Sequence, residues 1–111
     1  MDKLIYKIYF IFYIKMSFKQ TSYKEPIKSQ GCCFCCDCYL AGLNGDIENA
    51  FDYAVKQKWV RGTDAYVLDH SSLIAGLKKK YDTTGRSGTR VKINNHFVVK
   101  DAKGNVIYNP A

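Results

Sequence analysis

The five cysteines of this 111-residue chain all lie between Cys32 and Cys38, and their clustering constrains the fold more than any other feature. Cysteines this close together cannot cross-link distant parts of a chain, and an odd number leaves at least one thiol without a disulfide partner. We therefore expect reduced thiols, as in a cytoplasmic protein. At this length the chain forms at most one domain, with a modest core.

The cysteine cluster also opens a helical pattern directly after Gly31. On a helix running from about Cys32 to Leu43, one side carries residues at helical spacing, namely Cys32, Cys35, Cys36, Tyr39 and Leu43. Core packing is the expected role of the later cysteines. Cys32 differs from them because it would occupy the helix N-terminus, where the partial positive charge favours the reactive thiolate.

The downstream sequence predicts two more helices and then strands. The second helix starts after an N-cap at Asp46, and the third is capped by Asp69 or Ser71 and ends in three lysines. From Thr89 onward the apolar period changes to two, which predicts strands over 89–93, 96–100 and 105–109. Helices followed by antiparallel strands indicate an α+β fold, with N-terminal helices packed on a small antiparallel sheet.

The last two strands predict a hairpin around the loop 101–104. A four-residue loop there pairs Lys100 with Asn105, Val98 with Ile107 and His96 with Asn109. The apolar face of this hairpin, which we expect to meet the helices, consists of Phe97, Val99, Val106 and Tyr108. On the polar face, the Asn109 oxygen can accept an imidazole N–H and leave the other ring nitrogen of His96 to face a thiol.

Residues 1–15 are aromatic, apolar and basic, unlike the polar segment that follows. Their longest uncharged run, 8–14, is much shorter than the roughly 20 apolar residues that a membrane-spanning helix needs, and no small-residue cleavage site follows it. The segment is an additional strand, an interfacial anchor, or sequence upstream of a start at Met16. We favour the last interpretation, with a single domain over 16–111 and no stable membrane span.

Three segments together resemble the papain-like cysteine peptidase superfamily. They are Gln30-Gly31-Cys32 entering a helix, the strand that begins Asn95-His96-Phe97, and the final Tyr108-Asn109-Pro110-Ala111. The closest resemblance is to the small bacterial and phage branch that includes the peptidases of double-glycine leaders. In this superfamily a cysteine begins a helix, a histidine begins a later strand, and an Asp or Asn before a proline orients the histidine.

The resemblance implies a minimal papain-like fold, a peptide or protein substrate and no cofactor. It implies that Cys32 is the nucleophile, His96 the general base and Asn109 the residue that orients His96. Gln30 would assist the oxyanion, and Gln20 is the other candidate for that role. The protein would then be an active cysteine peptidase or amidase, or a degenerate descendant that retains the fold.

A non-enzymatic alternative rests on charge. The formal net charge is +7, which favours an acidic partner such as an acidic protein or a nucleic-acid complex. A basic patch suited to phosphate contacts would comprise Lys78, Lys79, Lys80, Arg86 and Arg90. The alternative function is a small basic inhibitor or adaptor from a phage or mobile element that binds a nucleic-acid-associated complex.

Metal binding is a further alternative, because the cysteine cluster contains overlapping C-x-x-C spacings. A structural zinc or iron–sulfur site normally needs a second group of ligands, and no second cysteine pair exists. Only His70 or His96 could complete such a site, and His70 reads as a residue bordering a helix cap. We therefore expect no metal site, and packing as the role of Cys33.

Overall fold

The cysteine cluster forms the central helix of the computed structural model, which describes residues 18–111. A short 3-10 helix, Gln20–Ser22, precedes four α-helices in this part of the chain: α1 (Ile27–Gln30), α2 (Cys32–Leu40), α3 (Ile47–Lys56) and α4 (His70–Tyr81). Three antiparallel strands follow in the spatial order β1-β2-β3: β1 (Thr89–Ile93), β2 (His96–Lys100) and β3 (Val106–Tyr108). The predicted α+β architecture, with helices packed on a small antiparallel sheet, is confirmed.

Helix α2 is buried on nearly every side. It lies between the sheet, which it contacts through β1 and β2, and the other three helices. Its fully buried residues are Phe34, Cys35, Cys36, Asp37 and Cys38. The sequence predicted one packed side, whereas the small cysteine side chains allow neighbours to approach α2 from several directions. A helix that is apolar almost all round is typical of a protein interior.

Gly31 allows α2 to begin immediately after α1. A Cβ atom at this position would lie 2.6 Å from the carbonyl oxygen and 2.7 Å from the Cα of Ile27, much closer than such atoms can approach. Ile27 is itself fully buried, so the backbone of α1 cannot move aside without disturbing the core. The absence of a side chain at Gly31 therefore fixes the position of Cys32 as the first residue of α2.

The C-terminus of α2 lies three residues before the predicted end at Leu43, and Arg86 caps it. The Arg86 guanidinium donates to the carbonyl oxygens of Tyr39, at 2.8 Å, and Leu43, at 2.7 Å, and to the side chain of Asn44. Its backbone N–H also donates to the carbonyl oxygen of Leu40, at 2.9 Å. A cation at these carbonyls compensates the negative end of the helix dipole.

The other two predicted helices are present. Asp46 precedes α3 in a left-handed conformation, with φ of 58°, and its carboxylate accepts from the Asn49 side chain instead of from a backbone N–H. Asp69 caps α4 as predicted, because its carboxylate accepts from the Ser72 backbone N–H at 3.0 Å. The three lysines 78–80 lie in the last turn of α4, also as predicted.

The predicted register of the terminal hairpin is wrong. Tyr108 pairs with Val99 and Val106 pairs with Lys100, with a β-bulge between the two pairs. Because Ile107 is the extra residue at this bulge, Val106 turns away from the helices and is 50% exposed. Phe97, Val99 and Tyr108 do pack toward the core, as predicted.

The predictions for residues 1–15 lie outside the described part of the chain. Between residues 18 and 111, no helix is long and apolar enough to cross a membrane. The start of the described chain contacts its end: the Gln20 N–H donates to the Pro110 carbonyl at 2.8 Å, and the Tyr108 hydroxyl donates to the Phe18 carbonyl at 2.9 Å. These contacts hold the chain before α1 against the end of β3.

Replacing Arg86 with Ala should lower the free energy of unfolding by about 2–3 kcal/mol, because the carbonyls at the end of α2 lose a charged donor. Urea denaturation followed by circular dichroism measures this change. Arg61→Ala is the matched control: Arg61 forms an exposed ion pair with Asp64 and should affect stability much less. Equal stabilities of the two variants would contradict the capping role of Arg86.

Candidate functional site

His96 and Asn109 contact each other through their side chains. The Nε2 atom of His96 lies 2.8 Å from Oδ1 of Asn109. The two residues are not directly opposed as predicted, because extending the observed pairing of Val99 with Tyr108 sets Asn109 opposite Val98. His96 and Asn109 are therefore diagonal neighbours on one face of the sheet, a separation that long side chains can bridge.

A second hydrogen bond defines the protonation of the His96 ring. The Asn109 Oδ1 atom also accepts from the Ala111 backbone N–H at 3.0 Å, and a backbone N–H can only donate. The atom facing His96 is therefore the amide oxygen, so Nε2 of His96 must carry the hydrogen. In the neutral ring this leaves the lone pair on Nδ1, which can accept a proton.

Cys32 is the first residue of α2, as predicted, and it is half-buried. The neighbouring thiol of Cys33 experiences the charges of Arg90 and Lys92, so the first turn of α2 lies near this end of β1. Ile93, the next residue of β1, pairs with His96.

No hydrogen bond joins the Cys32 thiol to His96 within residues 18–111. The reason lies in the alternation of β2. Phe97 and Val99 face the helices, so the pleat directs His96 to the opposite face of the sheet. The His96 ring would have to reach the Cys32 thiol around the end of β2.

The two candidate oxyanion donors differ in environment. Gln30, the last residue of α1, is exposed. Gln20 is buried, its side-chain amide donates to the Lys28 carbonyl at 3.1 Å, and its backbone contacts Pro110, which directly follows Asn109. Gln20 is therefore the glutamine that lies near the His96–Asn109 pair.

The remaining thiols of α2 are held in the protonated form. Burial raises the pKa of Cys35 to about 12 and the pKa values of Cys36 and Cys38 well above the ordinary thiol value. Burial also raises the pKa of Cys33 to about 12, with the Asp37 carboxylate as the next cause. Packing, the role predicted for these cysteines, agrees with the burial of Cys35, Cys36 and Cys38.

Asp37 forms a buried network that the sequence analysis did not predict. Its carboxylate is completely buried; one oxygen lies 2.5 Å from Nδ1 of His70, and the other accepts from the Arg90 guanidinium. Burial raises the pKa of Asp37, while the hydrogen bonds from His70 and Arg90 oppose that rise. The network links α2 to the start of α4 and to β1.

The Cys33 thiol adjoins this network. The donor atoms of Cys33, Asp37 and His70 all lie within 4.8 Å of one another. One signal in the sequence could have revealed the network: Asp37 is the one charged residue among the residues of α2, and a buried carboxylate requires a cationic or hydrogen-bonding partner. The sequence does not identify His70 and Arg90 as those partners, because they lie 33 and 53 residues away.

The predicted basic patch is divided in the structure. Arg86 caps α2 and Arg90 binds Asp37, so both guanidinium groups make internal contacts. Lys79 and Lys80 remain on the exposed surface of α4, where the Lys80 ammonium lies 4.4 Å from the centre of the Tyr53 ring. Lys78 is half-buried beside the loop 84–88.

Comparison with protein-family models, with curated proteins and with solved structures found no significant match to this chain.

Alkylation should distinguish Cys32 from the other thiols. At neutral pH a thiol with a pKa of about 12 is thiolate to an extent of only about 10⁻⁵, so Cys33 and Cys35 should react slowly with iodoacetamide. Cys32, half-buried at the start of α2, should react first. Peptide mapping after brief labelling measures the order, and labelling of Cys33 or Cys38 ahead of Cys32 would contradict it.

Replacing Asp37 with Asn should lower the free energy of unfolding by about 3–5 kcal/mol, because the Arg90 charge would lose its buried partner. Chemical denaturation measures the loss. Asp64→Asn is the matched control, since it removes a carboxylate from an exposed ion pair with Arg61 and should change stability much less. A small effect of Asp37→Asn would show that Arg90 reaches water when Asp37 is neutralised.

Proposed function

We propose that this protein is a papain-like cysteine hydrolase that cleaves an amide or thioester bond in a peptide or protein, with Cys32, His96 and Asn109 as its site. One observation carries the proposal: the two hydrogen bonds accepted by Asn109 Oδ1, from His96 Nε2 and from the Ala111 N–H. They leave the lone pair of the imidazole on Nδ1, which is the state that a general base requires.

The position of Cys32 supports its assignment as the nucleophile. It is the first residue of α2, at the positive end of the helix dipole. Gly31 keeps the helix start at this residue, since a side chain there would overlap the backbone of Ile27. Cys35, Cys36 and Cys38 are unsuited to the role because they are buried.

The reaction would proceed in two acyl-transfer steps. His96 Nδ1 takes the thiol proton as the Cys32 sulfur attacks the carbonyl carbon, and the imidazolium then protonates the departing amine or thiol. Water, deprotonated by His96, hydrolyses the resulting thioester and restores the thiol. Asn109 stabilises the imidazolium because its oxygen already accepts from the Nε2–H.

The contact between Cys32 and His96 belongs to the substrate-bound state in this proposal. Because His96 lies on the face of the sheet opposite the helices, the proposal requires its ring to reach the Cys32 thiol around the end of β2 when the substrate binds. Gln20 is the better placed of the two glutamines to assist the oxyanion, because it is anchored beside Pro110, whereas Gln30 is exposed at the end of α1.

Asn109→Ala should reduce the acylation of Cys32 by p-nitrophenyl acetate, measured as the burst of nitrophenolate and by mass spectrometry of the acetylated peptide. Loss of a general base typically costs 10²–10⁴-fold, so a misoriented His96 should slow the burst at least about tenfold. His96→Ala should have a larger effect. Cys32→Ser should abolish acetylation at this position.

Asn105→Ala is the matched control for Asn109→Ala. It removes the same side chain from the same hairpin, but Asn105 contacts Asp101 in the loop and not His96. Its burst rate should equal that of the wild type. Unchanged acylation of Cys32 in both His96→Ala and Asn109→Ala would refute the hydrolase proposal. Loss of binding to an acidic protein or nucleic-acid partner after substituting lysines 78–80 with Glu would then favour the basic adaptor.

A further inference from the structure

A second group of chemically active side chains lies next to the proposed hydrolase site and has no role in it. Cys33 and Asp37 project from successive turns of α2, at positions i and i+4, and His70 is the first residue of α4. Their sulfur, oxygen and nitrogen donor atoms lie within 4.8 Å of one another. Two helices thus bring a thiol, a carboxylate and an imidazole to one point.

This donor set suits a particular class of metal ion. Thiolate, imidazole and carboxylate are the ligands that Zn²⁺ uses, whereas Mg²⁺ and Ca²⁺ prefer oxygen ligands alone. Neighbouring donors around a tetrahedral zinc ion are about 3.3–3.6 Å apart, given bond lengths of about 2.0–2.3 Å. The donors of Cys33, Asp37 and His70 lie within 4.8 Å of one another, so a bound ion would draw the sulfur closer and separate His70 from Asp37.

We propose that Cys33, Asp37 and His70 form a binding site for Zn²⁺ or a chemically similar divalent transition-metal ion. These three ligands leave a fourth tetrahedral position for water or another small ligand. The His70 side chain is 37% exposed, so an ion can enter from solvent, while the completely buried Asp37 closes the inner side of the site. This proposal departs from the expectation, drawn from the sequence, that the chain has no metal site.

Metal binding would replace the hydrogen bond between His70 and Asp37. In the present arrangement a hydrogen bond joins Nδ1 of His70 and Oδ2 of Asp37, which lie 2.5 Å apart. An ion between them would separate the two atoms, the imidazole would carry its hydrogen on Nε2, and Nδ1 would donate its lone pair to the metal. The Cys33 thiol would release its proton to solvent and bind as thiolate.

Arg90 would support the site without binding the metal. It donates to Oδ1 of Asp37, which leaves Oδ2 as the single oxygen directed toward His70. Metal-bound carboxylates are commonly hydrogen-bonded through their second oxygen in this way, and such a bond fixes the orientation of the ligand. The charges are also compatible, because a thiolate and a carboxylate together balance a divalent ion, with Arg90 as one additional cation.

Titration of the reduced protein with Co²⁺ tests the site, since cobalt bound to a thiolate gives a charge-transfer absorption in the near ultraviolet. We expect this absorption to saturate at one Co²⁺ per chain and to disappear when Zn²⁺ is added. Cys33→Ala and His70→Gln should abolish it, and both should retain the wild-type circular dichroism spectrum. The glutamine can still donate to Asp37, so His70→Gln removes the metal ligand while preserving the buried hydrogen bond.

Cys32→Ser is the matched control, because it removes the neighbouring thiol, and it should keep the cobalt absorption. This control also separates the two proposals, since metal binding by Cys32→Ser is measured without any hydrolase activity. Absence of the absorption in the wild-type protein, or its persistence in Cys33→Ala, would disprove the metal site. Loss of the absorption only in Cys32→Ser would assign the thiolate ligand to Cys32 and equally refute the proposal.

Discussion

The burial of α2 is the constraint on which the rest of the structure depends. A helix enclosed by the sheet on one side and by three helices on the others must satisfy every polar group along it from within the protein. Two arginines meet this requirement. Arg90 reaches the carboxylate of Asp37 in the middle of the helix, and Arg86 donates to the carbonyl groups at its end. Two of the positive charges of the chain thus stabilise polar groups of its own central helix.

The same burial confines the accessible thiols to the first turn of α2. Further along the helix, burial raises the pKa of the thiols, because a thiolate there would not be solvated by water. These thiols therefore remain protonated. Cys32 and Cys33 are half-buried and lie where the helix emerges from the core. One of these adjacent thiols is oriented by the helix start and serves the proposed hydrolase. The other adjoins Asp37 and His70 and serves the proposed metal site.

The sheet contributes the other half of the proposed hydrolase site. Beyond the bulge in the terminal hairpin the pairing differs from the prediction by two residues, because Val99 opposes Tyr108 instead of Val106. An even shift keeps His96 and Asn109 on the same face, where they contact each other as diagonal neighbours. Asn109 and Pro110 also receive the chain that precedes α1, through the contact of Gln20 with Pro110. The segment that begins at Phe18 is therefore attached directly beside Asn109, the residue that contacts His96.

The sequence by itself determined the features that depend on local spacing. These are the start of α2 at Cys32, the capped helix α4, the strands β1 and β2, and the α+β class, because capping and apolar period are encoded within a few residues. It also predicted that His96 and Asn109 would meet, since both belong to one short hairpin. The register of that hairpin was not predictable, because a bulge changes the pairing without changing the alternating pattern.

Only the tertiary structure decided which distant residues complete each site. The presence of Asp37 in an otherwise apolar helix indicates that its carboxylate needs a partner. Which residues fill that role, here His70 and Arg90, depends on how α4 and β1 pack around α2. Likewise, Arg86 looks like a surface cation in the sequence and becomes a helix cap only when its loop folds back. Such contacts are set by the free energy of packing the whole core, which no local pattern records.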